Sequence, residues 1–303
     1  PSFPGGNTAF ARYMVKDLIP DAIDGAHGFA DVMNGRVAFA ALDRPGERVR
    51  IRCGATVVHV EHDASTAGER RVLVTYEKDG RPYRVAARGV VMASGGWVNQ
   101  HVIRDLPAEV RSAYEHFHHV PALVVNVALT NWRFMYDLGI TAAQWSGGDF
   151  GFSCNLRQPM LVGDYRPPLD PDRPTILTFY MGIYRRGLSV YEQGVAGRNE
   201  LFATPFADYE RRLRERMIRC FGDSGFDPER DIAGIILNRW GHARLCQQPG
   251  FYYGTDDGPS PREVVEAGFG RVAIGHSELN GHQNWTGGIR QGYRAAAQIL
   301  NLL

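Results

Sequence analysis

Lysine is almost missing from this sequence: Lys16 and Lys78 are its only two, within a Lys plus Arg total of 34. Against 33 Asp and Glu, that leaves a formal net charge of +1. No basic stripe is announced, and nucleic acid drops out as a partner class. Cysteine is just as sparse. Cys53, Cys154, Cys220 and Cys246 lie far apart and form no CxxC pair, which removes a zinc site and a disulfide framework and implies no metal. Every apolar run is far shorter than the roughly 20 residues of a membrane span. An initiator Met and a signal peptide are also lacking. Pro1-Ser2-Phe3-Pro4-Gly5-Gly6-Asn7 reads as a loop that runs straight into a helix, so the expectation is a fragment or a processed subunit, with its cellular location open.

The 303 residues are 44% apolar and 22% charged, which suits one large globular domain or two moderate ones. Phe10, Met14, Val15, Leu18 and Ile19 recur at helical spacing until Pro20, predicting an amphipathic helix with that face inward. Short β-rich segments follow at 49–52, 56–61, 71–76 and 83–86, the last two joined by an Asp79-Gly80 hairpin turn. The apolar run 89–93 then ends in Ser94-Gly95-Gly96. It predicts a parallel strand buried on both faces. Its glycine-rich end either opens onto a ligand crevice or is a tight exit turn without a ligand.

The stretch 107–254 is rich in aromatics, with strands expected at 122–129, 175–183 and 232–239. Pro159, Pro167, Pro168, Pro171 and Pro174 mark an irregular excursion. Residues 206–221 predict a helix with Phe206, Tyr209, Leu213, Met217 and Cys220 inward, and Arg211, Arg212, Arg214, Arg216 and Arg219 mostly outward. After a strand at 270–275 and a polar loop, Thr286-Gly287-Gly288 opens a final helix with Thr286 as its expected N-cap. Two glycines in a first turn cost helix stability. They either bring backbone N–H groups close to an electron-rich ligand or permit close helix–strand packing.

The wording FPGGN at 3–7, NRWGH at 238–242 and NWTGG followed by GYRAA at 284–296 resembles the glutathione-reductase-type flavoprotein amine oxidases, and within them the spermidine dehydrogenase-like proteins. The resemblance implies an α/β FAD-binding fold with an inserted, mixed-sheet α+β substrate domain. The FAD domain would be residues 1–106 and 255–303, and the substrate domain residues 107–254. Gly5, Gly6, Val58, Ala93, Ser94, Gly95, Gly275, His276, Trp285, Thr286 and Gly287 would line FAD: Val58 at the adenine through its backbone, Gly275 and His276 at the pyrophosphate, and Trp285 to Gly287 at the flavin ring. The opening strand–GxGxxG–helix of that family is not found here, and Gly147-Gly148 with Gly151 do not form it. A partner half or subunit carrying that motif is therefore expected.

The implied reaction is hydride transfer from the carbon next to an amine onto FAD, with a polyamine such as spermidine as the leading small-molecule substrate. Amino-acid oxidation, a carotenoid-type desaturation and a non-catalytic subunit are the alternatives. Trp145, Phe150, Phe152, Tyr180, Tyr184 and Trp240 are pocket walls or plain core. Trp240 and His242 are the candidate catalytic pair, with His242 placing substrate, taking up a proton, or serving only the fold.

Overall fold

In the computed structural model, which describes residues 6–65, 71–148, 150–255 and 258–303, the change of hydrophobic period along the chain sets the element order. First come α1 (Thr8–Leu18), β1 (Thr56–His62), β2 (Val72–Lys78), β3 (Arg81–Ala87), β4 (Val90–Met92), α2 (Gly96–Val102) and α3 (Ala108–Tyr114). The middle holds β5 (His119–Leu129), β6 (Ala142–Gln144), β7 (Ser153–Leu156), β8 (Thr175–Gly182), α4 (Val190–Ala203), α5 (Phe206–Phe221) and β9 (Ile232–Leu245). The chain closes with α6 (Pro261–Ala267), β10 (Val272–Ile274) and α7 (Trp285–Leu300). Two units result: unit 1 is Pro1–Phe117, Val162–Asp164 and Gln247–Leu303, and unit 2 is His118–Leu161 and Tyr165–Cys246. These bounds differ from the expected 106/107 and 254/255. The reason is packing: α3 lies on α2 and α6, and the Phe117 ring meets Phe251 edge-on at 5.1 Å.

In unit 1, β1, β2 and β3 form an antiparallel meander. Asp79 and Gly80 close its second hairpin with φ of 53° and 74°, the two positive values that a type I′ turn requires. Residues 49–52 are irregular, not a strand. Arg50 and Arg52 there turn onto Asp43 at 2.7 and 2.8 Å, and the Arg52 hydrogen bond leads in lowering the Asp43 carboxyl to about 2. β4 and β10 pair in parallel, Val90 beside Val272 and Met92 beside Ile274, and α7 seals them through Ala273, Ala295 and Ile299. The predicted inward face of α1 is only half right. Val15 and Ile19 pack on Ala22, Ala41 and Leu42, whereas Met14 and Leu18 are exposed. Lys16 is buried instead, its ammonium donating to the carbonyls of Pro20, Ile23 and Gly25.

Unit 2 is a five-stranded sheet in the order β6-β7-β8-β5-β9. Every pair in it is antiparallel, which corrects the expected mixed sheet: antiparallel neighbours need no crossover helix between them. Along β5, buried and half-buried residues alternate over all eleven positions, so one face is core and the other is not. Leu123, Val125 and Val127 meet Leu177 and Phe179 on the core face, under Leu201 of α4 and Tyr209, Leu213 and Met217 of α5. α5 matches its predicted span. Phe206 is exposed, however, and Arg216 is buried with its guanidinium over Trp145, because position 216 falls on the face of 209 and 213. α4 was not foreseen, although Ser189 and Glu192 form a capping box at its start. Among the described residues no helix is long and apolar enough to cross a membrane, and no cluster of three or more metal-ligating side chains occurs.

Asp231, at the entry to β9, is fully buried. Its carboxylate accepts from the Asp227 amide, the Asn131 side chain and the Arg230 guanidinium at 2.7–2.9 Å. Burial pushes its carboxyl up, but these three donors hold it, on balance, below the usual carboxylate range. A depressed folded value stabilises above the unfolded value of about 3.9, and that stability is lost as pH falls through the folded value. Asp231→Asn should therefore lower stability at neutral pH by about 1–3 kcal/mol and flatten the acid limb of the thermal unfolding profile. Parallel acid limbs for wild type and variant would refute the assignment.

Candidate functional site

The parallel β4–β10 pair builds the rim of the candidate site. Val90 N–H donates to the Arg271 carbonyl at 2.9 Å, and Gly275 N–H donates to the Met92 carbonyl at 2.8 Å. This brings Ala93, Ser94 and Gly95 beside Gly275 and His276 at the carboxyl ends of the two strands. Beneath the rim lies a buried polar cluster that the sequence did not single out. The Glu278 carboxylate accepts the Gly96 N–H at 2.5 Å. Asn99 donates to the Ser94 carbonyl and the Tyr114 hydroxyl, and accepts from Ser94 Oγ at 2.6 Å. Burial first, and Glu278 with it, pushes the Tyr114 hydroxyl far up, so it stays neutral. Gly95 and Gly96 thus serve packing as well: a Cβ on Gly96 would lie 2.4 Å from the Tyr114 ring, and one on Gly95 would lie 2.1 Å from Trp97. His276 Nδ1 accepts the Glu278 amide at 3.3 Å and lies 3.6 Å from the Glu278 carboxylate.

The start of α7 differs from the expectation. Asn284, not Thr286, is the N-cap, and its Oδ1 accepts the Gly287 N–H at 2.7 Å. That amide is consequently taken, and a Cβ on Gly287 would come within 2.3 Å of Asn280 Nδ2. Gly287 is a packing glycine. The amides of Trp285 and Thr286 ahead of it have no hydrogen-bond partner among the described residues. Trp285 stacks on Phe10 of α1, ring centroids 4.2 Å apart. This stack brings α1, and with it Gly6 (φ 71°) just before that helix, to the α7 end of unit 1. Gly5 lies outside the described residues.

Val58 sits where the β1–β2 register slips between Val57 and His59. It is half exposed, and a bulged residue has its backbone groups off the ladder. Val57 and Val60 on either side line a cavity of ≈ 440 Å³ together with Val91, Ala93, Ser94 and Val98. Among the described residues β10 is the only strand beside β4. Alternation then turns the Val91 N–H and C=O to the other edge.

In unit 2, Trp240 is exposed on the non-core face of β9, opposite Ala122. The His242 ring lies 5.6 Å from His119. Phe150 is core, Trp145 packs on the core, Phe152 and Tyr184 are exposed, and Tyr180 is half-buried on the non-core face.

Residues 32–300 match the family of flavin containing amine oxidoreductases. The chain belongs to that family. FAD is the family's cofactor. No curated protein matches the sequence. Similar solved structures include cyclohexylamine oxidase from Brevibacterium oxydans IH-35A, with 16% identity, TM-score 0.51, and 81% of this chain against 48% of that one. A putrescine oxidase triple mutant redesigned for cofactor binding gives 15% identity, TM-score 0.54 and coverage of 82% and 48%. Wild-type putrescine oxidase bound to putrescine gives 15%, 0.51 and the same coverage. These likenesses show the α/β fold of amine oxidases, and the chain spans about half the length of the structures it matches.

The family's cofactor finds a partial fit here. The unclaimed amides of Trp285 and Thr286 head a sixteen-residue helix, where partial positive charge suits an electron-rich ligand edge. The Val58 bulge lies beside the same cavity that Ala93 and Ser94 line. A glycine-rich phosphate loop between a strand and a helix is not found in the sequence. The packing role of Gly287 is directly testable. Gly287→Ala should destabilise by about 1–3 kcal/mol and Asn284→Ala by about 1 kcal/mol. Gly292→Ala, where a Cβ meets nothing within 4 Å, should be neutral or stabilising by up to about 1 kcal/mol. Equal melting temperatures for the Gly287 and Gly292 variants would contradict the geometry.

Proposed function

We propose that this chain is the C-terminal part of a glutathione-reductase-type FAD domain together with the substrate unit of an amine-oxidising enzyme. The observation that carries the reading is the β4–β10 pair, which gathers Ala93, Ser94, Gly95, Gly275 and His276 on one rim in a chain of this family. Those residues, with Gly5, Gly6, Val58, Trp285 and Thr286, would hold FAD. Gly287 supports them by letting α7 approach Asn280. When bound, FAD supplies the hydride acceptor for the carbon next to the amine nitrogen, and the resulting imine hydrolyses in water. The helix-terminal amides of Trp285 and Thr286 stabilise negative charge on the ligand edge they face. Trp240 offers an exposed aromatic wall, and His242 a group able to take up a proton.

The edge of β4 away from β10, unpaired among the described residues, suits one further parallel strand beside the apolar cavity, because parallel sheets are normally covered on both faces and at their edges. A strand–GxGxxG–helix segment, in the same polypeptide or a second one, fits that place and supplies the missing phosphate loop. For the substrate, the NRWGH and NWTGG wording favours a polyamine of the spermidine type. One side chain of unit 2, Arg157, favours an amine with an anionic end.

The 303-residue chain purified alone should carry FAD far below stoichiometric occupancy, and near-stoichiometric flavin absorbance would overturn the partner requirement. Joined to a strand–GxGxxG–helix half and loaded with FAD, it should show anaerobic bleaching of the oxidised flavin on addition of primary amines, but not of the matching alcohols. Bleaching by neither would refute amine oxidation.

A further inference from the structure

The non-core face of the unit 2 sheet carries one cation held in an unusual way. Arg157 follows β7, and its N–H extends the β7–β8 ladder to the Ile176 carbonyl at 2.8 Å. Its side chain crosses β8 on the face opposite the core. There Nε donates to Thr178 Oγ1 at 2.8 Å, and Nη2 donates to the Tyr180 hydroxyl at 3.1 Å. Thr178 is fully buried, and its hydroxyl donates onward to Asn126 Oδ1 at 2.8 Å. Two neutral hydroxyls therefore fix one edge of the guanidinium, with Asn126 behind that of Thr178. Among the described residues no carboxylate lies within 4 Å of it. The Nη1 donors and the second Nη2 donor are left pointing away from the braced edge.

A guanidinium presents five donors in a fixed fork that matches the two oxygens of a carboxylate. Held on one edge by hydroxyls, it has already lost the rotamer freedom that binding would otherwise have to remove. The same face continues from Tyr180 to Val124 on β5 and Asn238 on β9, with Trp240 one pair further along. Three strand spacings separate the Arg157 side from the Trp240 side, roughly 14 Å. The face is thus cationic at one end and aromatic at the other. A substrate with ammonium groups at both ends would meet like charge at Arg157, which disfavours it.

We infer that the open face of this sheet binds an amine that also carries a carboxylate, with Arg157, braced by Thr178 and Tyr180, recognising the carboxylate. The inference rests on the amine reading of the family and, within it, sets a carboxylate-bearing amine against the polyamine that the sequence wording favours.

All of the named groups lie in unit 2, so binding can be measured on the chain itself. Calorimetric titration with δ-aminovalerate and with cadaverine, matched in length, compares one carboxylate with one ammonium. δ-Aminovalerate should bind roughly ten- to hundred-fold more tightly, the effect of one charge-assisted hydrogen-bonded pair. Arg157→Met should erase that preference. Arg157→Lys should restore only part of it, and Thr178→Val should weaken δ-aminovalerate without improving cadaverine. A brace with a purely structural role predicts lower melting temperature in Arg157→Met with the preference unchanged, which would overturn the inference. Equal or tighter binding of cadaverine overturns the carboxylate assignment and leaves the amine reading standing. Binding of neither ligand overturns the inference, while the amine reading stands or falls on the flavin-bleaching experiment.

Discussion

The structure depends on a contact only three residues long. β4 and β10 are separated by about 180 positions of sequence, yet they lie side by side through the Val90-to-Arg271 and Gly275-to-Met92 hydrogen bonds. Closing so long a loop is tolerable because its entropy cost grows only with the logarithm of length. It also requires that the intervening chain fold on its own core, which the Leu123, Phe179, Tyr209 and Leu213 cluster provides. The pair itself is too short to persist alone. α7 makes it durable: Arg294 donates to the carbonyls of Ile274 and Glu266 and to the side chains of Gln291 and Gln298. Burial pulls the Arg294 guanidinium down from its ordinary value, opposed by Glu266, a sign that it works as an internal clamp and not as a surface charge.

That clamp explains the glycines. A Cβ on Gly275 would lie 3.0 Å from that of Ala295 and 3.2 Å from Val91. Gly96 admits the Tyr114 ring, and Gly287 admits Asn280. Each permits backbone to come close to a neighbour in the protein. The candidate rim is the by-product: once α7 is pressed against β10, its first amides and the two strand exits belong to one end of one small layer. A ligand reading and a packing reading of such glycines therefore do not compete, because the same close approach serves both.

Long elements with a single period were legible in the sequence. β5, β8 and β9 were expected close to where they lie, as were α5 and the Asp79-Gly80 turn. What escaped depended on partners far away in sequence. α4 was hidden by Gly194 and Gly197, which lower helix propensity but let the helix approach His119 and Pro121, and its capping box was the signal that could have found it. Arg216 reads as a surface arginine until Trp145 is known to sit above it. The cap of α7 was misplaced by two residues because Thr286 and Asn284 are both good caps, and only the observed Gly287 bond separates them. Rim residues could be proposed from motif wording, whereas Glu278, Asn99 and Tyr114 beneath them could not, since each is buried by contacts with the others.

Unit 2 shows how a charge can be kept in reserve. Elsewhere in this unit a charge is met by its opposite: the buried Asp231 carboxylate is paired with the exposed Arg230. That solution uses up the charge. Arg157 is held by the hydroxyls of Thr178 and Tyr180, dipoles strong enough to fix its plane and too weak to cancel its field. Thr178 can serve because its own proton goes to Asn126, leaving oxygen lone pairs free to accept. The relay therefore runs in one direction, from guanidinium to hydroxyl to amide oxygen, and ends in a neutral group. A direct ion pair would tie β7 to β8 as well but would leave the cation neutralised, whereas the hydroxyl brace leaves its charge available to an incoming anion.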